Sequence, residues 1–364
     1  MKSGGQADNS GDRRRGGRAL RLLRRILLSE NFVLYLTILY LAVLYLFMPY
    51  IANSRNLANL ASNTWPLLAL VLGQMFVLIL GGIDLSQTST MALTSVVGGM
   101  LMTTQLDPTL FEKSPLWGIL LSSEGSPISG TLLAVPVGIL AMLVVGSLVG
   151  LLNGVAVAKF RMPAFMVTLV SMMFFSGLAI YLTKSENILY LPDGFKAIGS
   201  GGLGPVPYAF LVVFALGGVA HALLRHTVLG HWFYAVGKSV RTSVVSGVPT
   251  DRVIILGYVI SGFCAAVASI LYSARLENAR PTLGQNLLLD VIGAAVIGGI
   301  SLFGGKGKVS WAVFGVLFFV LLANSLSMMA IPFYVEHVVK GSVILLAALL
   351  DVTRTRLLAR GAFA

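Results

Sequence analysis

Apolar stretches follow one another from residue 32 to residue 350, with only short polar breaks between them. No water-soluble core could absorb them all. Hydrophobic residues make up 56% of the chain and charged residues 11%, where an ordinary soluble domain carries about 25% charge. A bilayer-crossing helix needs about 20 apolar residues. On that measure the expected spans are 32–51, 65–82, 87–104, 131–158, 163–183, 206–224, 253–273, 287–302, 310–330 and 338–351. The runs are continuous and lack the two-residue alternation of a membrane barrel strand. The expected fold class is therefore all-α and integral to the membrane, a polytopic bundle of about ten transmembrane helices.

Charge orients the bundle. The net charge is +12, and it is unevenly spread. With the N-terminus in the cytoplasm, 19 of the 26 Lys and Arg residues fall in inner loops and tails. The outer loops hold Arg55, Lys113, Lys184, Lys196, Arg275, Arg280 and Lys340. This satisfies the positive-inside rule and predicts that both termini are cytoplasmic. Residues 1–30 form a basic tail containing Arg13, Arg14, Arg15, Arg18, Arg21, Arg24 and Arg25. Its length, and the absence of a small-residue cleavage site after the first apolar run, argue against a cleaved signal peptide. It is expected to lie against anionic headgroups of the lipid bilayer, with no nucleic-acid partner. The expected organisation is the tail at 1–30, a transmembrane domain at 31–352 and a cytoplasmic C-terminal tail at 353–364. The outer loops at 105–130 and 184–205 read equally as solvated connectors or as a docking surface.

Several chemistries are absent. Cys264 is the one cysteine, so no disulfide can form within the chain, and packing is its expected role. His221, His226, His231 and His337 have no partner at metal-ligand spacing, so no metal site is expected. Paired carboxylates, histidine clusters and nucleophile constellations are missing, which argues against a membrane enzyme. The glycine-rich stretch 298–308 is not a phosphate loop. Leu302 stands where its first glycine should be, and Val309 replaces the Ser or Thr after Gly307-Lys308.

Polar groups within the apolar runs are costly in lipid and therefore informative. Gln74 sits mid-span, and Asp84 follows the pair Gly81-Gly82. Gly-Gly breaks a helix, and Asp84 or Ser86 can cap the next one. Asp84 thus reads first as a capping residue and second as a solute ligand. Gly146, Gly150 and Gly154 recur every four residues and share a helix face that admits close packing. Asn153 flanks that face, placed to line a path or to tie helices together. Asp290 lies near the outer end of the later span 287–302, and the string Gly-Gly-Ile-x-Leu occurs at both 81–85 and 298–302. The repeat hints at a duplicated helix pair.

The longest expected cytoplasmic loop, 225–252, reads RHTVLGHWFYAVGKSVRTSVVSGVPTDR. Within it, 238–246 is predicted to form two turns of helix stopped by Gly247, with Pro249 beyond. Val240, Val244 and Val248 share a face. Trp232, Phe233 and Tyr234 precede it. The segment reads as an interfacial helix with an aromatic anchor, or as a short helix that docks on a soluble partner.

Four blocks carry a resemblance to a known family. They are GQMFVLILGGIDLS at 73–86, LLNGVAVAKFRMPAFMVTLVSMMFFSGLA at 151–179, and AVGKSVRTSVVSGV at 235–248 continuing through 258–307. The fourth is Asn324-Ser325-Leu326 with KGSVILLAALLDV at 340–352. In order and spacing they resemble the permease of bacterial ABC importers for monosaccharides, the ribose/xylose/galactose type. Three positions depart from that pattern. Gln87-Thr88-Ser89 stands where the family commonly has Val-Gly-Ser. Arg241-Thr242-Ser243 replaces an acidic residue and paired alanines. Ser176 stands where Arg or Tyr-Arg is common.

The resemblance implies a multi-pass transport subunit of the bacterial inner membrane, without a catalytic site or cofactor of its own. It implies a second permease subunit, identical or related, two cytoplasmic ATP-binding subunits supplying ATP and Mg, and a periplasmic or surface sugar-binding protein. It assigns coupling to the ATPase to Ala235, Val236, Gly237, Lys238, Arg241, Val244, Ser246 and Gly247. It also implies weak solute contacts along a path of small neutral polar groups, for which Gln74, Asn153, Thr168 and Asn324 are the candidates. Gly81, Gly82, Asp84, Gly298, Gly299 and Asp290 are the structural or gating candidates. A secondary transporter or facilitator, or a nucleoside-type ABC permease, is the alternative. Asp84 and Asp290 near span ends motivate the secondary-transporter reading, although no ionisable group stands clearly at a midplane.

Overall fold

The structure is a computed structural model that describes residues 32–359. The basic tail expected at 1–30 lies outside the described residues. Ten principal helices follow the apolar runs. They are α1 (Phe32–Phe47), α2 (Ser54–Ile79), α3 (Gln87–Met102), α5 (Ala134–Ala158), α6 (Ala164–Thr183), α8 (Tyr208–His226), α11 (Thr250–Leu276), α12 (Leu288–Gly298), α13 (Val309–Met328) and α14 (Phe333–Ala359). Shorter helices lie between them: α4 (Pro108–Phe111), α7 (Asp193–Ser200), α9 (Val228–Lys238) and α10 (Val240–Val245). A two-stranded hairpin pairs β1 (Gly202–Leu203) with β2 (Val206–Pro207).

Each expected span overlaps a helix, but the lengths differ. Among the described residues, six helices are long and apolar enough to cross a bilayer: α2, α5, α6, α8, α11 and α13. Helices α1 and α12 are apolar but shorter. At 11 residues, α12 reaches about 16 Å, half of the roughly 30 Å hydrocarbon core. Helix α14 runs through the boundary expected at 352 and continues to Ala359. Lys340, expected in an outer loop, lies within α14 and is buried.

Helices α2, α3 and α11 form the centre, and α5 packs along α11 with its glycines inward. A side chain at Gly146 would meet Gly262, one at Gly150 would meet the backbone of Tyr258, and one at Gly154 would meet Ile255. These are backbone-to-backbone contacts, the close approach that small residues permit. Cys264 is buried where α11 faces Gly73 of α2.

Contacts sort the loops into two ends. At one end Arg161 pairs with Asp251 (3.2 Å), and Tyr234 donates to the Gly307 carbonyl (2.7 Å). At the other, Ile188 and Ala279 exchange backbone hydrogen bonds, Thr104 donates to the Tyr190 carbonyl, and the Asn56 and Asn324 side-chain amides pair.

Candidate functional site

Three features stand out, all built around the break between α2 and α3. The first is a buried polar knot. Helix α2 ends at Ile79, Gly81 takes a left-handed φ of +81°, and the chain crosses to Ser86 without regular structure. Asp84 turns this crossing. Its Oδ1 accepts from the Ser86 backbone N–H (2.9 Å) and hydroxyl (2.6 Å), and its Oδ2 accepts from the Ser261 hydroxyl (2.6 Å). Gln87 donates to Ser261 (2.9 Å) and to the Leu70 carbonyl (3.2 Å). Gln74, with its amide turned to suit its neighbours, accepts from the Asp84 N–H (3.2 Å). It donates to the Asp84 carbonyl (3.1 Å) and to Gln87 (3.2 Å). Asn153 donates to the Ser86 hydroxyl (2.8 Å) and accepts from Ser171, and Thr168 donates to the Ile83 carbonyl (3.1 Å). The knot ties α2, α3, α5, α6 and α11 around one non-helical crossing. Such a crossing in an apolar medium must have its backbone groups satisfied internally.

The knot gathers three of the four residues expected to line a path, Gln74, Asn153 and Thr168. It holds them through hydrogen bonds among buried groups rather than along an open channel. Asn324 lies elsewhere, bonded to Asn56 at the far end of α2, about 27 Å along that helix from Gln74.

The second feature is the segment 225–252. It is not a loop holding one helix, but two helices joined at Ser239. Helix α9 is riveted to the bundle. Phe233 is buried edge-on against Phe76 (centroids 5.3 Å apart), and Tyr234 holds the Gly307 carbonyl. This aromatic cluster therefore anchors in protein, rather than in the interface the sequence suggested. Val236 is buried, and Gly237 lies directly on the Ile79 carbonyl, with Gly305 alongside. Gly305 in turn donates to that carbonyl (2.8 Å). The loops bearing the two Gly-Gly-Ile-x-Leu strings thus meet beneath Gly237.

Helix α10 begins at Val240 rather than Lys238, because the Ser239 hydroxyl caps it by accepting from the Thr242 N–H (3.2 Å). It ends as expected at Gly247, whose φ is +77°. Val244 and Val245 stand 53% and 85% exposed, with Arg241, Ser246 and Gly247 also exposed. Val245, the most exposed apolar residue of α10, went unnoticed in the sequence because it lies off the 240/244/248 face.

The third feature is a cleft of about 380 Å³ between α3, α6 and residues 281–288. Thr88, Ser89, Ser176, Thr282 and Gln285 give it its polar lining. None of these was a path candidate. The signal was present in the departures at 88, 89 and 176, which fall on this one cleft, while the departure at Gln87 belongs to the knot. Asp290 lies on the next helix, and Lys340 Nζ sits 2.8 Å from both Asp290 and Glu336. Among the described residues no group of three or more His, Cys, Asp or Glu side chains is placed to hold a metal.

Residues 56–348 match the family described as branched-chain amino acid transport system / permease component, and the chain belongs to that family. It is a multi-pass protein of the bacterial inner membrane. It is 31% identical to the ribose import permease protein RbsC of Haemophilus influenzae over 300 residues, 81% of this chain and 84% of that protein. It is 33% identical to a probable ABC transporter permease protein, y4mJ, of Sinorhizobium fredii, over 84% of this chain and 83% of that protein. With the L-arabinose ABC transporter permease protein AraH of Azospirillum brasilense it shares 29% identity over 84% of this chain and 82% of that protein. No solved structure matches the chain.

Proposed function

We propose that this chain is the membrane permease subunit of a binding-protein-dependent ABC importer for a monosaccharide or similar neutral polar solute. The relatives named above support the class of solute. The observation that carries the coupling role is α10, a short, capped, exposed helix standing on a second helix that is fixed to the bundle core. A cytoplasmic ATPase that receives α10 in a groove can turn its own closure into displacement of the α2 and α12 ends through Gly237. That is a differential contact acting on a two-state element, as such a switch requires.

On this reading the ten principal helices all belong to the membrane domain, and the end bearing α10 and the Arg161–Asp251 pair faces the cytoplasm, with both termini. ATP and Mg are bound by two partner subunits, and a second permease copy or a related chain completes the pore. A periplasmic or surface binding protein delivers solute at the end bearing 105–130 and 184–205. Ala235, Val236, Gly237 and Lys238 transmit the movement, while Arg241, Val244, Ser246 and Gly247 meet the ATPase.

The test is reconstitution of the chain with its ATPase and binding protein in proteoliposomes. Solute accumulation should require ATP, and the ATPase should co-purify with the chain. Accumulation by the chain alone, without nucleotide, would overturn the proposal.

A further inference from the structure

The stretch between α11 and α12 does not stay at the end of the bundle. Helix α11 stops at Glu277, which takes a left-handed φ of +56°, and the chain then descends along α3. Ala279 packs on Gly99. The Arg280 N–H donates to Ser95 (3.2 Å). Gly284 faces Met91 and the Thr88 carbonyl. Each of these α3 levels can be read against α11. Ser95 bonds Ser273 (2.7 Å), the Met91 carbonyl accepts from Ser269 (2.7 Å), and Gln87 bonds Ser261 (2.9 Å). Ser261 and Ser269 bracket the midpoint of Thr250–Leu276. Residues 278–287 therefore form a re-entrant segment that reaches mid-depth, and the half-length α12 carries the chain from there to the joint beneath Gly237.

Irregular backbone at membrane depth persists only where protein buries it or where it lines a watery cavity. One side of the segment is buried on the bundle through Pro281 and Leu283. The other presents Thr282, Gln285 and Asn286 outward. Amide and hydroxyl groups at this depth are costly against lipid, so this side faces a polar space. For Thr282 and Gln285 the cleft is that space. Among the described residues, the side chains of Thr88, Ser176, Thr282 and Gln285 have no hydrogen-bond partner, although Thr88 is only 5% exposed. Four unpaired polar groups thus converge on about 380 Å³, within the roughly 300–1,000 Å³ typical of small-molecule sites.

We propose that Thr88, Ser176, Thr282 and Gln285 form the selectivity site for a neutral polyhydroxylated solute. This rests on the transport reading above and names the residues that contact the cargo. The lining carries no charged residue, so an ionic solute would go uncompensated. It carries no aromatic ring, so a nucleobase would find nothing to stack on. Hydroxyls and one carboxamide suit the alternating donors and acceptors of a sugar, and the Met172 and Met173 side chains suit its C–H faces. Gln74, Asn153 and Thr168 lie behind this wall in the knot, where they hold the start of α3, and with it Thr88, in place.

Two experiments test the site. In the full importer, Gln285→Leu and Thr88→Val should each lower uptake of D-ribose, D-xylose or L-arabinose by about tenfold, a barrier change of about 1.4 kcal/mol. ATPase stimulation by the loaded binding protein should stay within about twofold of wild type. Unchanged uptake of all three sugars in both variants would overturn the site. So would a proportional loss of ATPase stimulation, which would mark a packing or subunit contact instead. The second experiment needs no transport. In a Cys264→Ser background, Gln285→Cys should react with a water-soluble methanethiosulfonate roughly tenfold faster than the exposed, apolar-face control Leu346→Cys. Equal or slower reaction at 285 would place that side chain in lipid or in a sealed interface and overturn the proposal. Fast labelling without ATP-driven uptake would keep the polar cavity and reject the importer reading alone.

Discussion

Gly305 donates its backbone N–H to the carbonyl of Ile79 at 2.8 Å, so the end of α2 and the loop after α12 form a single joint. Gly237 covers it without a side chain. A β-carbon there would strike the Ile79 oxygen and crowd the Gly305 nitrogen. Gly237→Ala should therefore lift α9 off the joint. Uptake and binding-protein-stimulated ATPase activity should fall together, by about tenfold or more, equivalent to about 1.4 kcal/mol of coupling. Paired assays in proteoliposomes read both. A variant with normal stimulation would remove this joint from the coupling route.

The exposed end of the coupling segment makes a different prediction. Gly247 has open space around it and a φ of +77°, and Val244 is exposed. Val244→Asp should abolish ATPase stimulation and ATPase co-purification while leaving the thermal unfolding midpoint in detergent nearly unchanged; Gly247→Pro, which cannot hold that φ and loses the N–H bonded to the Val244 carbonyl, should abolish stimulation by unravelling the end of α10. A large drop in that midpoint would show that these residues serve the bundle rather than the partner.

Asp84 accepts three hydrogen bonds in a buried setting. Asp84→Ala would leave the Ser86 amide N–H and the Ser86 and Ser261 O–H donors without an acceptor, although both hydroxyls still accept from Asn153 and Gln87, at about 1–3 kcal/mol for each buried donor left unsatisfied. The variant should unfold at a clearly lower temperature or fail to accumulate. Asp84→Asn, which keeps one acceptor oxygen, should lose less. A thermal-shift series in one detergent orders the three proteins.

The Asp290–Lys340 pair is also buried, with side chains 12% and 7% exposed. Lys340→Met strands the carboxylates of Asp290 and Glu336, and breaking such a pair costs about 3–5 kcal/mol. Replacing both partners, as in Asp290→Leu with Lys340→Met, should recover much of the loss. Equal destabilisation in the single and double variants would mean that the pair does not act as a unit.

How much of this was legible in the sequence depends on what the residues had to signal. The helices were legible, because burial in lipid demands a long apolar run whatever its neighbours. The Gly247 stop was legible, because αL geometry selects glycine. The knot was half legible. Gln74, Asn153, Thr168 and Asp84 announce themselves as polar groups in apolar runs, but their convergence on one crossing is tertiary. Asn324 gave the same signal and belongs to a separate pair at the far end of α2. The re-entrant segment was not legible. The string ENARPTLGQNLLLD is polar and turn-rich, as any surface loop would be, and its depth is fixed by Ser95 and Met91, distant residues of α3. Phe233 and Tyr234 misled for a related reason. An aromatic beside a helix end has the same composition whether it meets headgroups or, as here, Phe76 and the Gly307 carbonyl.

The seam between α5 and α11 has a practical consequence. Because Gly146, Gly150 and Gly154 bring the two backbones into direct contact, neither helix can slide or roll against the other without tearing a chain of main-chain contacts. That pair is the molecule's fixed keel. Spectroscopic labels placed across it should report one constant separation through the whole transport cycle, an internal ruler against which the travel of every other helix can be measured.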